Sequence, residues 1–123
     1  MRIQDLRDVI NRREYIETIS CGEWTDGIEE CCKNEIEILA QDIESTIAFL
    51  KSECTAKEFV WISEVIDEVV VKTRSRALLD CYTSLMAKFP EESKTYSISS
   101  SIEYAKNELK GVLEDEQSGT SDR

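Results

Sequence analysis

This chain has no histidine. That removes the usual general base, the commonest metal ligand and the one side chain that changes charge near neutral pH. Di-metal carboxylate sites built on Glu-x-x-His pairs cannot exist without it. The single proline and four glycines are too few for a turn-rich β architecture. There is no G-x-S-x-G sequence and no phosphate-binding glycine loop. No stretch approaches the ~18 apolar residues needed to span a bilayer. The opening Met1-Arg2-Ile3-Gln4-Asp5 passes quickly into acids and arginines, unlike a signal peptide. The five cysteines are odd in number and include no CxxC pair, which argues against zinc and against a disulfide framework. A reducing, cytoplasmic setting is expected, with no metal and no cofactor. The adjacent Cys31 and Cys32 read either as small buried hydrophobes or as a redox pair, the first reading being favoured.

What the chain has is acid. Asp and Glu total 26 against 15 Lys and Arg, for a formal net charge of −11. Such a surface repels nucleic acid phosphates and anionic membranes and favours a basic protein partner, met quickly and with strong salt dependence. The hydrophobic fraction is nonetheless 41% over 123 residues, enough for one domain with a real core. Residues 1–113 are expected to form a single helical domain, and 114–123 a disordered acidic tail with nothing to bury.

Apolar spacing predicts about six helices in an all-α fold, stacked as antiparallel αα-hairpins in a bundle or a short repeat-like stack. The first runs from about Ile3 to Ile19. Ile3, Leu6 and Ile10 form its stripe, Arg13 interrupts it, and Ile16 and Ile19 extend it. Gly22 is placed to take a positive φ after it. Thr25 or Asp26 is expected to cap the next helix, with Trp24 packed on its first turn. Ile28, Cys31, Cys32, Ile36 and Leu39 share one side, and the rhythm continues through Ile43, Ile47 and Leu50. Either one bent helix covers 27–53 or a break falls near Ala40-Gln41-Asp42; a helix of about 25 residues is long for this domain, which favours the break. Thr55 and Glu58 have the spacing of a capping box. The helix after them is predicted to carry Phe59, Ile62, Ile66 and Val69 on its core face, with Val69-Val70-Val71 straining against helix propensity. Ser75 is a plausible N-cap, Pro90 ends the helix marked by Leu78, Tyr82 and Leu85, and a last helix carries Ile98, Ile102, Ala105 and Leu109.

On a continuous Phe59–Val70 helix, Glu64 and Glu68 fall opposite the core face, with Trp61 beside them and Val60, Asp67 and Val71 close by. An aromatic ringed by carboxylates resembles a protein-interface hot spot. The competing reading has Trp61 packed on a neighbouring helix, its indole N–H bonded to a carboxylate. Glu35, on the apolar side of its helix, either pairs with Arg12 or Arg13 or holds a partner's cation. Tyr104 lies off its helix's stripe and either touches a partner or covers its own helix. The expected partner-binding residues are therefore Trp61, Glu64, Asp67, Glu68, Val60 and Tyr104. A paired-carboxylate enzyme is disfavoured, because charge runs such as Glu29-Glu30 are usually solvated helix faces.

The stretches 24–32 (Trp24 to Cys32) and 54–68 (Cys54 to Glu68) resemble small helical immunity proteins of bacterial contact-dependent growth inhibition and related polymorphic toxin systems. The resemblance implies a small cytoplasmic protein that binds a toxin domain and blocks its active site. Many of those toxins are basic nucleases, including endoribonucleases with the EndoU fold. It implies no individual site residue. The expectation is a non-enzymatic immunity protein, a monomer or weak homodimer when free, that neutralises a cognate basic toxin. The alternative is a helical adaptor or phage-associated regulator acting on a basic host protein.

Overall fold

Leu6, Ile10, Arg13 and Ile16 recur every three or four residues and are the buried face of α1, Ile3–Ser20. Arg13 therefore continues the stripe, where the sequence suggested an interruption, and Ile19, expected within it, is 58% exposed. The computed structural model describes residues 2–21 and 23–121, and the backbone alone over 117–121. Gly22 lies outside the described residues; Cys21 itself is left-handed, with φ 53°, and closes α1 by donating its N–H to the Glu17 carbonyl. The following helices are α2 Thr25–Gln41, α3 Ile43–Ser52, α4 Ala56–Ser63, α5 Ile66–Thr73, α6 Arg76–Lys88, α7 Pro90–Thr95 and α8 Ile98–Ser121. The described residues contain no strand, so the chain is all-α.

Local chemistry sets most of these boundaries. Trp24, and not Thr25 or Asp26, is the N-cap of α2, without a side-chain cap, and its ring lies 2.8–3.0 Å from where a Cβ on Gly27 would stand. Asp42 is extended (φ −147°, ψ 98°) and accepts from the Ser45 N–H at 3.4 Å and its hydroxyl at 2.8 Å, which separates α2 from α3. Thr55 and Glu58 form the complete capping box at the start of α4. Ser75 caps α6 through the Leu78 N–H at 3.0 Å. α6 stops at Lys88, directly before Phe89-Pro90 as expected, and Pro90, whose ring suits the first helical position, also opens the short α7.

The helix expected over 59–70 is two helices. The Glu64 and Val65 N–H groups bond back to Trp61 and Ile62 carbonyls, three residues away, and Val65 sits at φ −118°, ψ 0°. Asp67 and Glu68 then occupy the first turn of α5, where the helix dipole favours carboxylates. Val69 and Val70 are fully buried, and that burial overrides the low helix propensity of the valine run. This break and α7 account for eight described helices where about six were expected.

The order across the molecule follows from packing: α1 lies along α2, α2 along α5, α5 along α8, and α6 joins α8 to α3. Phe59 is the centre of the core. Its ring stacks on Tyr82 at 4.8 Å and meets Phe89 at 5.2 Å, and its carbonyl accepts the Tyr82 hydroxyl. The tail expected to be disordered from Glu114 is helical through Ser121, since α8 continues and Glu116 is held by Arg74 from the end of α5 at 2.6–2.7 Å. Residues 122 and 123 lie outside the described residues. No described helix is long and apolar enough to cross a membrane.

Candidate functional site

The break after Ser63 turns α5 away from α4, and the six expected contact residues divide into two groups. Asp67, Glu68 and Tyr104 come together in a groove of about 730 Å³ between α2, α5 and α8. Trp61, Glu64 and Val60 do not line it.

Three helices build the groove by helical spacing. The α2 side supplies Glu29, Cys32, Lys33, Ile36 and Glu37, the α5 side Asp67, Glu68, Val71 and Lys72, and the α8 side Tyr104 and Glu108. Within each helix these recur three or four apart, which puts them on one face. Cys32 and Ile36 are half-buried against the core and form an apolar floor with the half-buried Val71. Tyr104 is 56% exposed, and the neighbouring Glu108 carboxylate pushes its phenol above the usual range. Burial pushes Asp67 up from the ordinary carboxylate range, against the backbone N–H groups of Glu68 and Asp67 that favour its charge, and Glu108 across the groove adds to the rise.

Five carboxylates thus face two ammonium groups around an apolar strip. Among the described residues none of the five is in an ion pair, although ion pairs tie α1 to α4 and α5 to α8 elsewhere. The carboxylates outnumber the ammonium groups of Lys33 and Lys72, so the groove carries a surplus of negative charge that a cationic visitor offsets.

Trp61 and Glu64 belong to a second cluster, against α1. The indole N–H donates to Glu14 at 3.3 Å, and the Arg13 guanidinium lies over the ring at 5.0 Å. That is the packed alternative, with the indole N–H bonded to a carboxylate of α1. Glu64 stays half-exposed and is gripped by Arg13, which also reaches Glu17 at 3.8 Å; Lys57 bonds Glu14 at 3.1 Å. Val60 is half-buried and does not line the groove. Glu35 is fully buried and both its oxygens lack a hydrogen-bond partner, so neither Arg12 nor Arg13 pairs with it directly.

Sequence reasoning took Glu29 and Glu37 for a solvated helix face and did not weigh Lys33. The signal was present: α2 carries a second apolar line, Cys32 and Ile36, beside the Cys31-Glu35-Leu39 core line, and the acids flank it. All five cysteines are free. Burial pushes the Cys31 and Cys32 thiols up, and Cys54 to about 12, which disfavours thiolate chemistry. No group of His, Cys, Asp and Glu among the described residues is arranged to hold a metal ion.

In comparison with known proteins, the chain matches no family model, no curated protein and no solved structure.

Proposed function

We propose that this chain is an immunity-type inhibitor: it binds a basic toxin domain, of the nuclease class, through the α2–α5–α8 groove and blocks that domain's active site without transforming it. The observation that carries this reading is the set of five unpaired carboxylates around an apolar floor. Carboxylates at that density imitate a phosphate backbone, so they suit a cleft built to take RNA or DNA. The apolar strip of Cys32, Ile36 and Val71 supplies contact area that charge alone lacks. The overall charge of −11 adds long-range steering, so encounter is fast and screened by salt. The resemblance of the 24–32 and 54–68 stretches to immunity proteins points the same way.

The test is biochemical. Products of the coding sequences flanking this one are purified and assayed for nuclease activity with and without an equimolar amount of the chain. The reading expects one basic domain whose activity is lost on addition. Its association rate should fall roughly tenfold or more between dilute buffer and 0.5 M salt. A flanking nuclease that keeps full activity in excess chain, or a complex that forms at the same rate in both buffers, overturns the reading.

A further inference from the structure

Arg13 and Glu35 are the most unusual pair in the core. Arg13 is 6% exposed and Glu35 is 0% exposed. Nε and Nη1 of Arg13, and both carboxyl oxygens of Glu35, are buried with no hydrogen-bond partner. Only Nη2 of Arg13 is engaged, by Glu64 and, more distantly, by Glu17. A guanidinium carries five donors, and leaving those on Nε and Nη1 dry is costly; so is a carboxyl with no donor.

The groups facing Glu35 come from each helix packed around it. Arg13 of α1 is the one favourable charge, Glu64 at the end of α4 opposes ionisation, and Tyr82 of α6 is near enough to feel its charge. Cys31 and Cys32 flank it on α2. Burial dominates and pushes the carboxyl up to about 8, so it is protonated in neutral buffer. The bare nitrogens of Arg13 and the bare oxygens of Glu35 are complementary, while the guanidinium is engaged by the half-exposed Glu64 and lies over the Trp61 ring.

We propose that Arg13 has two alternative carboxylate partners, the surface Glu64 and the buried Glu35, and that neutralising Glu64 transfers the guanidinium inward to Glu35, whose carboxyl proton leaves to solvent. The O–H bond of Glu35 breaks, its electron pair stays on the carboxylate, and an Arg13–Glu35 ion pair replaces the Arg13–Glu64 pair. Under the function proposed above, on which this link to docking rests, a partner's lysine or arginine seated on Glu64 is the neutralising charge, and complex formation releases one proton.

The transfer is testable on the free protein, so its failure is separable from failure of the docking reading. Glu64→Gln imitates a neutralised Glu64. Carbon-detected NMR of the Glu35 carboxyl is followed from pH 4 to 10 in the wild type, in Glu64→Gln, and in Glu64→Gln with Arg13→Gln. The expected result is a fall of two or more pH units in the Glu35 midpoint in the single variant and no such fall in the double. A midpoint within half a unit of wild type in Glu64→Gln overturns the proposal. So does an equal fall without Arg13, which would be the loss of a distant charge and no transfer. If the double variant does not fold, the Arg13 Nε–H resonance in Glu64→Gln decides. Slowed exchange with solvent and a contact to Glu35 support the transfer, and an unchanged signal overturns it.

Discussion

Arg7 donates from Nε to Glu58 at 2.7 Å, and the same glutamate closes the capping box on the Thr55 N–H at 3.0 Å. One carboxylate thus stops α4 from fraying and ties α1 to it. Burial by itself would raise the Glu58 carboxyl, but the Arg7 hydrogen bond and the Thr55 bonds outweigh it and hold the group below its ordinary range. Glu58→Ala removes the cap and the tie together and is expected to cost about 1–3 kcal/mol in urea unfolding. Glu58→Gln keeps part of the cap and loses less. Since the folded protein holds this carboxylate ionised more strongly than the unfolded chain does, its contribution is present above the unfolded value and disappears as pH falls through the folded one.

Glu35 has the opposite sign. Its carboxyl is raised from 4.5 to about 8 in the fold. Between those values the folded protein keeps a proton that the unfolded chain has lost, so stability falls as pH rises from about 4.5 to 8 and then levels off. Glu35→Gln, a neutral isostere, should abolish that decline. The stability difference between variant and wild type should widen by roughly 3–5 kcal/mol from pH 5 to pH 9. Urea titrations at the two pH values measure it, and parallel curves for both proteins would contradict the assignment.

Glu37 and Glu68 are exposed and line the groove from α2 and α5. Glu37→Lys should change folding stability by about 0.5 kcal/mol or less, because Glu37 is in no ion pair among the described residues, whereas Glu68→Lys puts a cation in the first turn of α5 and should cost about 0.5–1 kcal/mol. Under the proposed function, association with a basic toxin domain should slow roughly tenfold or more in dilute buffer, with a flatter salt dependence. Stopped-flow mixing reads both quantities. The same exchange at Asp8 and Glu103, exposed residues that do not line this groove, is the control.

Gly27 lies under the indole of Trp24. Gly27→Ala puts a methyl where the ring is, and a half-exposed side chain can move away at small cost. The gain in helix propensity, about 1 kcal/mol, offsets part of the lost contact. Stability should change by about 1 kcal/mol or less while Trp24 fluorescence, isolated in a Trp61→Phe background, shifts to the red.

Several boundaries were legible because their causes lie within four residues. Thr55 with Glu58, Ser75 with Leu78, and Asp42 with Ser45 each announce a helix start through a side chain that reaches its own backbone. The break at Glu64–Val65 carried a weaker sign, the Asp67-Glu68 pair that suits a helix N-terminus, and the apolar rhythm of 59–70 ran over it unbroken. Because the helical wheel assumed one helix, it joined Trp61 and Glu64 to Glu68 on a face that the fold divides. Asp67, Glu68 and Tyr104 were named for a wheel and an off-stripe position, and they meet because α8 returns against α5.

The amino-acid order alone determined the all-α class, the caps at Thr55 and Ser75, the break near Asp42 and the surplus of negative charge, since propensity, capping and composition are local or additive. Only the tertiary structure decided that Glu29, Glu68 and Glu108 share one groove, and that Arg13 and Glu35 are sealed together in the core. Desolvation and charge proximity belong to neighbours brought in from other helices, and no short-range rule along the chain encodes them.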